Sequence, residues 1–158
     1  MRAAGECGVD GLIVPDLPPE EAESLEQTSE DHGLDLIYLL APTSTPDRID
    51  TVTKRSRGFI YCVSLTGVTG ARQNLSNQLA PFMQNVRRGL ESAGRSVPLA
   101  VGFGISTAEH AKEVSQIADG VIVGSALIDR LATAPSPQEG VERCSELIRT
   151  MRAAIGRG

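Results

Sequence analysis

The sequence predicts an α/β protein built from parallel (β/α) units. Two observations predict it. Five short apolar, β-branched runs recur along the chain, and each is followed by a stretch with helical signals. The runs are near-continuously apolar rather than alternating, which marks strands covered on both faces, as in parallel sheets. Strands alternating with helices in this order imply right-handed crossovers.

The elements follow in order. Met1 to Cys7 reads as the tail of a helix running into Gly8-Val9-Asp10-Gly11. The first run is Gly11–Leu17. Pro18-Pro19-Glu20-Glu21 follows it, with prolines where a missing N–H costs nothing and acids where the helix dipole favours them. The second run is Leu34–Ala41, and Thr45-Pro46-Asp47 repeats the device. The third is Gly58–Ser64, in which Cys62 reads as a small core residue. The fourth is Pro98–Gly104, after which Ser106-Thr107-Ala108-Glu109 reads as a capping box. The fifth is Gly120–Gly124. Ser136-Pro137-Gln138-Glu139 then opens a last helix to about Ala154, and Ala134–Pro137 only joins two helices. Residues 8–16 and 117–125 share Asp-Gly followed by an Ile-Val pair. Asp-Gly suits a tight turn feeding a strand. The likeness reads either as convergence on a good turn or as two equivalent units of a barrel.

A complete TIM barrel takes typically ~250 residues. Five of its eight (β/α) units fit in this chain of 158 residues. The expectation is therefore a partial barrel, one domain over 1–158, whose first three strands would precede Met1. An open five-stranded flavodoxin-like sheet is the structural alternative.

Composition narrows the function. The chain has 15 basic and 20 acidic residues, a formal charge of -5 and 41% apolar residues. The acidic balance argues against a nucleic-acid partner, which needs clustered Lys and Arg. Lys54-Arg55 with Arg57, and Arg87-Arg88, are short and read as solvated faces. No apolar run approaches the ~18 residues of a membrane helix. Residues 1–10 lack the apolar stretch of a signal peptide. Cys7, Cys62 and Cys144 form no CxxC pair and read as free thiols of a reducing, cytoplasmic compartment. With His32 and His110 far apart, no metal site is expected.

In either architecture ligands sit at the carboxyl ends of the strands. Gly102-Phe103-Gly104-Ile105-Ser106 and Gly124-Ser125 close consecutive strands. Glycine lets a backbone approach a ligand, and a following helix N-terminus offers amides to an anion. A phosphate site is expected there, against the alternative of packing glycines at tight turns. Thr66-Gly67-Val68-Thr69-Gly70 reads as a flexible loop or as a lid that adds an amide at Gly70. Asp16 reads either as a helix cap or as a polar group of the site. Tyr61 reads either as core or as a site residue.

These segments resemble the tryptophan synthase alpha chain family. The resemblance is carried by Gly8–Glu21, Leu40–Thr43, Gly58–Gly70, Gly102–Ser106 and Gly124–Ala126. It covers nearly the whole chain. It implies a (β/α)8 barrel lyase that cleaves indole-3-glycerol phosphate to indole and glyceraldehyde 3-phosphate. It also implies a beta-chain partner that holds pyridoxal phosphate, so no cofactor belongs to this chain. By the resemblance, Gly70, Gly104, Gly124 and Ser125 contact the phosphate through their backbone, with Phe103 alongside. Thr69 is the lid threonine, Tyr61 lines the substrate pocket, and Asp16 supports the loops facing the beta chain. The family's catalytic Glu and Asp lie in a segment that would precede Met1, so no catalytic residue is expected here. The runner-up reading is a non-catalytic phosphate-binding half-barrel that serves as a partner-binding module. A third is another phosphosugar barrel enzyme that would use Asp16.

Overall fold

The computed structural model describes residues 1–64, 72–102 and 104–156, with backbone alone over 72–77. The helices are α1 (Arg2–Glu6), α2 (Glu23–Glu30), α3 (Pro46–Arg55), α4 (Arg72–Ser92), α5 (Ala108–Ser115), α6 (Ser125–Ala132) and α7 (Pro137–Ile155). The strands are β1 (Gly11–Ile13), β2 (Asp35–Ile37), β3 (Leu39–Leu40), β4 (Ile60–Val63), β5 (Leu99–Gly102) and β6 (Gly120–Val121). All pairings are parallel and sequential: β1 with β2, β3 with β4, β4 with β5, β5 with β6. β2 and β3 are one extended run. Its first half pairs with β1 and its second half with β4, and the Tyr38 carbonyl between them accepts from the Tyr61 N–H at 3.0 Å.

A flavodoxin-like sheet would place its first strand between the second and third. Here β1 has only β2 as a neighbour among the described strands, so the sheet is an arc of barrel wall. The strands are shorter than the apolar runs that contain them. The fifth run keeps two strand residues, although the Ile122 N–H still bonds the Val101 carbonyl at 2.8 Å.

The expectation that both strand faces are covered is corrected. Leu36, Tyr38, Leu40, Ile60, Cys62, Leu99 and Val101 point to the helices and join one buried core with Val52, Phe82, Met83, Val86 and Met151. The opposite face carries Ile37, which is buried, and Leu39, Tyr61, Val63 and Ala100, which are half-buried, all outside that core. In a closed barrel the opposite wall fills this interior. Among the described residues the arc has no opposite wall, so from Leu39 onward the runs are buried on one side and half-wet on the other.

The helix starts follow the local chemistry. Thr45, Thr107 and Ser136 accept hydrogen bonds from the amides three residues on and cap α3, α5 and α7. The cap of α5 is therefore Thr107, one residue later than the box read from Ser106. Glu109's own backbone N–H, and then the Thr107 hydroxyl, hold its carboxyl below its ordinary range. The prolines after β1 open a 3-10 turn over Pro19–Glu21 before α2 begins. Gly11 is required by close approach: a Cβ there would lie 2.7 Å from the Asp35 carbonyl oxygen. α7 packs on α5 and α6. No helix among the described residues is long and apolar enough to cross a membrane.

The arc leaves β1 and β6 as its edges. Every exposed large apolar side chain among the described residues lies towards one of them. Val9, Ile13 and Val14 flank β1, while Ile128, Leu131, Val141 and Ile148 stand on α6 and α7, the helices that follow β6. Unpaired parallel edges with apolar flanks favour association. Freshly purified chain is expected to scatter light as a species heavier than 16.7 kDa. A stable monomer with a cooperative melt would contradict this.

Candidate functional site

The carboxyl ends of β4, β5 and β6 meet on one rim. In the β5–β6 ladder Val101 lies opposite Val121, and Gly104 and Gly124 each follow that last paired position by three residues, in the turns that leave β5 and β6. Gly104 adopts φ +73°, a left-handed conformation that favours glycine. Gly124 caps α6 without a side-chain hydrogen bond, unlike the caps of α3, α5 and α7. The first amides of a helix have no intrahelical acceptor. Gly104, Gly124 and Ser125 are all exposed, and a Cβ on Gly124 would meet no atom of the described residues within 4 Å. The rim thus presents glycine turns and the positive end of α6 to open space. That arrangement suits an anion.

β4 supports this rim. Tyr61 lies on the inner face, and its ring covers Gly102 so closely that a Cβ there would overlap the phenol. Burial raises the Tyr61 hydroxyl above its ordinary pKa. Ser64, 3% exposed, donates both its N–H and its hydroxyl to the Gly102 carbonyl, each at 2.9 Å. Cys62, on the other face of the strand, is fully buried, and that burial pushes its thiol up to about 12. It is a core residue, as its apolar setting predicts.

Asp16 stands away from the glycine rim. It is exposed on the edge of a groove of about 340 Å³ between residues 14–19 and 36–41. The 3-10 turn that follows begins at Pro18 with no side-chain cap, so Asp16 is not its cap. The loop carrying Asp16 is pinned from α3. Arg55 donates to the Pro19 carbonyl and to Glu26, each at 2.7 Å, and its guanidinium sits 5.7 Å from the centre of the Tyr38 ring. Tyr38 is buried, and among the described residues no partner lies within full hydrogen-bond distance of its hydroxyl, which faces Glu26. Burial, and then the Glu26 charge, push it up to about 12.

The structure therefore brings Gly104, Gly124, Ser125 and Tyr61 to the β4–β6 end of the arc and Asp16 to the β1 end. Thr69, Gly70 and Phe103, with the rest of Thr66–Gly70, lie outside the described residues. The sequence reading does not single out Ser64. Its signal is a hydroxyl closing an otherwise apolar run.

The family model described as tryptophan synthase alpha chain matches residues 1–156. The chain belongs to the tryptophan synthase alpha chain family. It is 49% identical over 151 residues to the alpha chain of Roseiflexus sp. (strain RS-1), covering 96% of this chain and 56% of that one. It is 50% identical over 155 residues to the alpha chain of Chloroflexus aurantiacus, covering 98% and 56%. Among solved structures, the alpha chain of Legionella pneumophila superposes with a TM-score of 0.81 at 36% identity, covering 98% of this chain and 55% of that one. A Pyrococcus furiosus structure superposes at 0.80 with 30% identity, covering 96% and 59%, and its description names the tryptophan synthase a2b2 complex. This chain spans about half the length of the curated alpha chains it matches, as a C-terminal portion of them. The family is a lyase with no cofactor of its own. Its structures are TIM barrels, and the arc seen here is part of one.

Proposed function

We propose that this chain carries the phosphate-binding half of an indole-3-glycerol phosphate lyase site. The observation that carries the reading is that two exposed glycine turns, the left-handed Gly104 and Gly124 at the uncapped start of α6, leave the carboxyl ends of the paired neighbours β5 and β6. The backbone of Gly104, Gly124 and Ser125 holds the phosphate, joined by Gly70 and flanked by Phe103. Thr69 belongs to the lid. Tyr61 forms the pocket wall next to Gly102. Breaking the bond between indole C3 and the side chain requires a proton delivered to C3 and a proton removed from the side-chain hydroxyl. Two positioned acid/base groups carry those transfers. Asp16 is the only carboxylate just past the carboxyl end of a described strand, and it lies across the arc from the glycine rim. By the family resemblance, the acid/base pair belongs to the portion of the relatives that precedes the match. Asp16 supports the loops that face a beta chain, and pyridoxal phosphate belongs to that partner. The setting is the cytoplasm.

Calorimetric titration with glycerol 3-phosphate and an assay of indole release test this reading together. The chain alone is expected to bind the phosphate weakly and to release no indole. Turnover by the chain alone would overturn the assignment and move Asp16 or Tyr61 into the acid/base role. Absence of binding would remove the phosphate site.

A further inference from the structure

We propose that Ser64 is a positioning residue for the phosphate turn, holding it from the neighbouring strand; this rests on the phosphate reading above. The Gly102 carbonyl closes β5, two residues before the left-handed Gly104. A carbonyl has two lone pairs. Ser64 donates to this one twice, by its amide and by its hydroxyl, each at 2.9 Å. The amide bond continues the parallel ladder and is open to any residue but proline. The hydroxyl bond is specific to this side chain.

A hydroxyl at 3% exposure at the end of an apolar strand costs free energy unless it is bonded. Alanine would fill the position without that cost, so packing alone does not account for serine. The second bond fixes the plane of the peptide that leaves β5. From that plane the chain turns into Gly104, whose amide is offered to the anion. On the inner face, the Tyr61 ring leaves no room for a Cβ on Gly102. Gly102 is thus held from β4 by a ring on its Cα and by two donors on its oxygen. Ser64 acts on the ligand through Gly102 and does not touch it.

Glycerol 3-phosphate binding by the 158-residue chain tests this, with a thermal melt on each variant. Ser64→Ala is expected to weaken binding by roughly three- to tenfold, the scale of one neutral hydrogen bond. Ser64→Thr keeps the hydroxyl and is expected to restore most of the affinity. Cys62→Ala removes a fully buried side chain from the other face of the same strand. It is expected to lower the melting temperature and leave the affinity unchanged. If Ser64→Ala does not fold, Ser64→Cys keeps the size, weakens the donor and makes the same test. Wild-type affinity in Ser64→Ala, or an equal loss in Cys62→Ala, would overturn the proposal. Absence of binding by the wild-type chain would overturn the phosphate reading itself.

Discussion

Leu40→Ala is expected to destabilise the chain by about 2–5 kcal/mol, and Leu39→Ala by less than about half as much. The two residues are neighbours on one strand and lose the same atoms. Leu40 is 1% exposed and sits in the core between the sheet and its helices. Leu39 points to the inner face, is half-buried, and lines the groove beside residues 14–19. Truncating a side chain that water already reaches loses less transfer free energy and leaves no closed cavity. Urea unfolding of both variants measures the difference. Equal losses would show that the inner face is covered in solution, by a second copy or by further chain.

Gly124→Val is expected to reduce affinity for glycerol 3-phosphate at least about tenfold, or ~1.4 kcal/mol. The melting temperature should stay where it is. A Cβ on Gly124 meets no atom of the described residues within 4 Å. Among the described residues nothing stands in its way, so what the side chain obstructs is a ligand at the start of α6. Gly102 is the contrasting case, because its missing Cβ makes room for the Tyr61 ring. Unchanged affinity in Gly124→Val would mean that no anion sits at this turn.

The order and type of the elements were legible in the chain because each strand run and each helix start carries its own chemistry. Thr45 and Ser136 cap where the sequence places caps. Thr107 takes the cap from Ser106 because both are good acceptors one residue apart, and local pattern does not separate them. Burial of the inner face was not legible. Leu39, Tyr61 and Val63 are as apolar as a closed barrel requires, and the described residues only half-cover them. The glycines of the rim were legible one by one. Their gathering on one rim was not, because it depends on strand pairing: β5 and β6 are neighbours, so the turns that carry Gly104 and Gly124 leave the same end of the sheet. The roles of Tyr61 and Ser64 at Gly102 also needed register, since neighbouring strands bring them together from 38 and more residues apart.

The most direct test is an amide NMR titration of the chain with glycerol 3-phosphate. The account predicts shifts concentrated at Gly104, Gly124, Ser125 and the first turn of α6, with the Asp16 loop unmoved. Shifts that are absent, or that gather around Asp16 and the groove over residues 36–41, would contradict it.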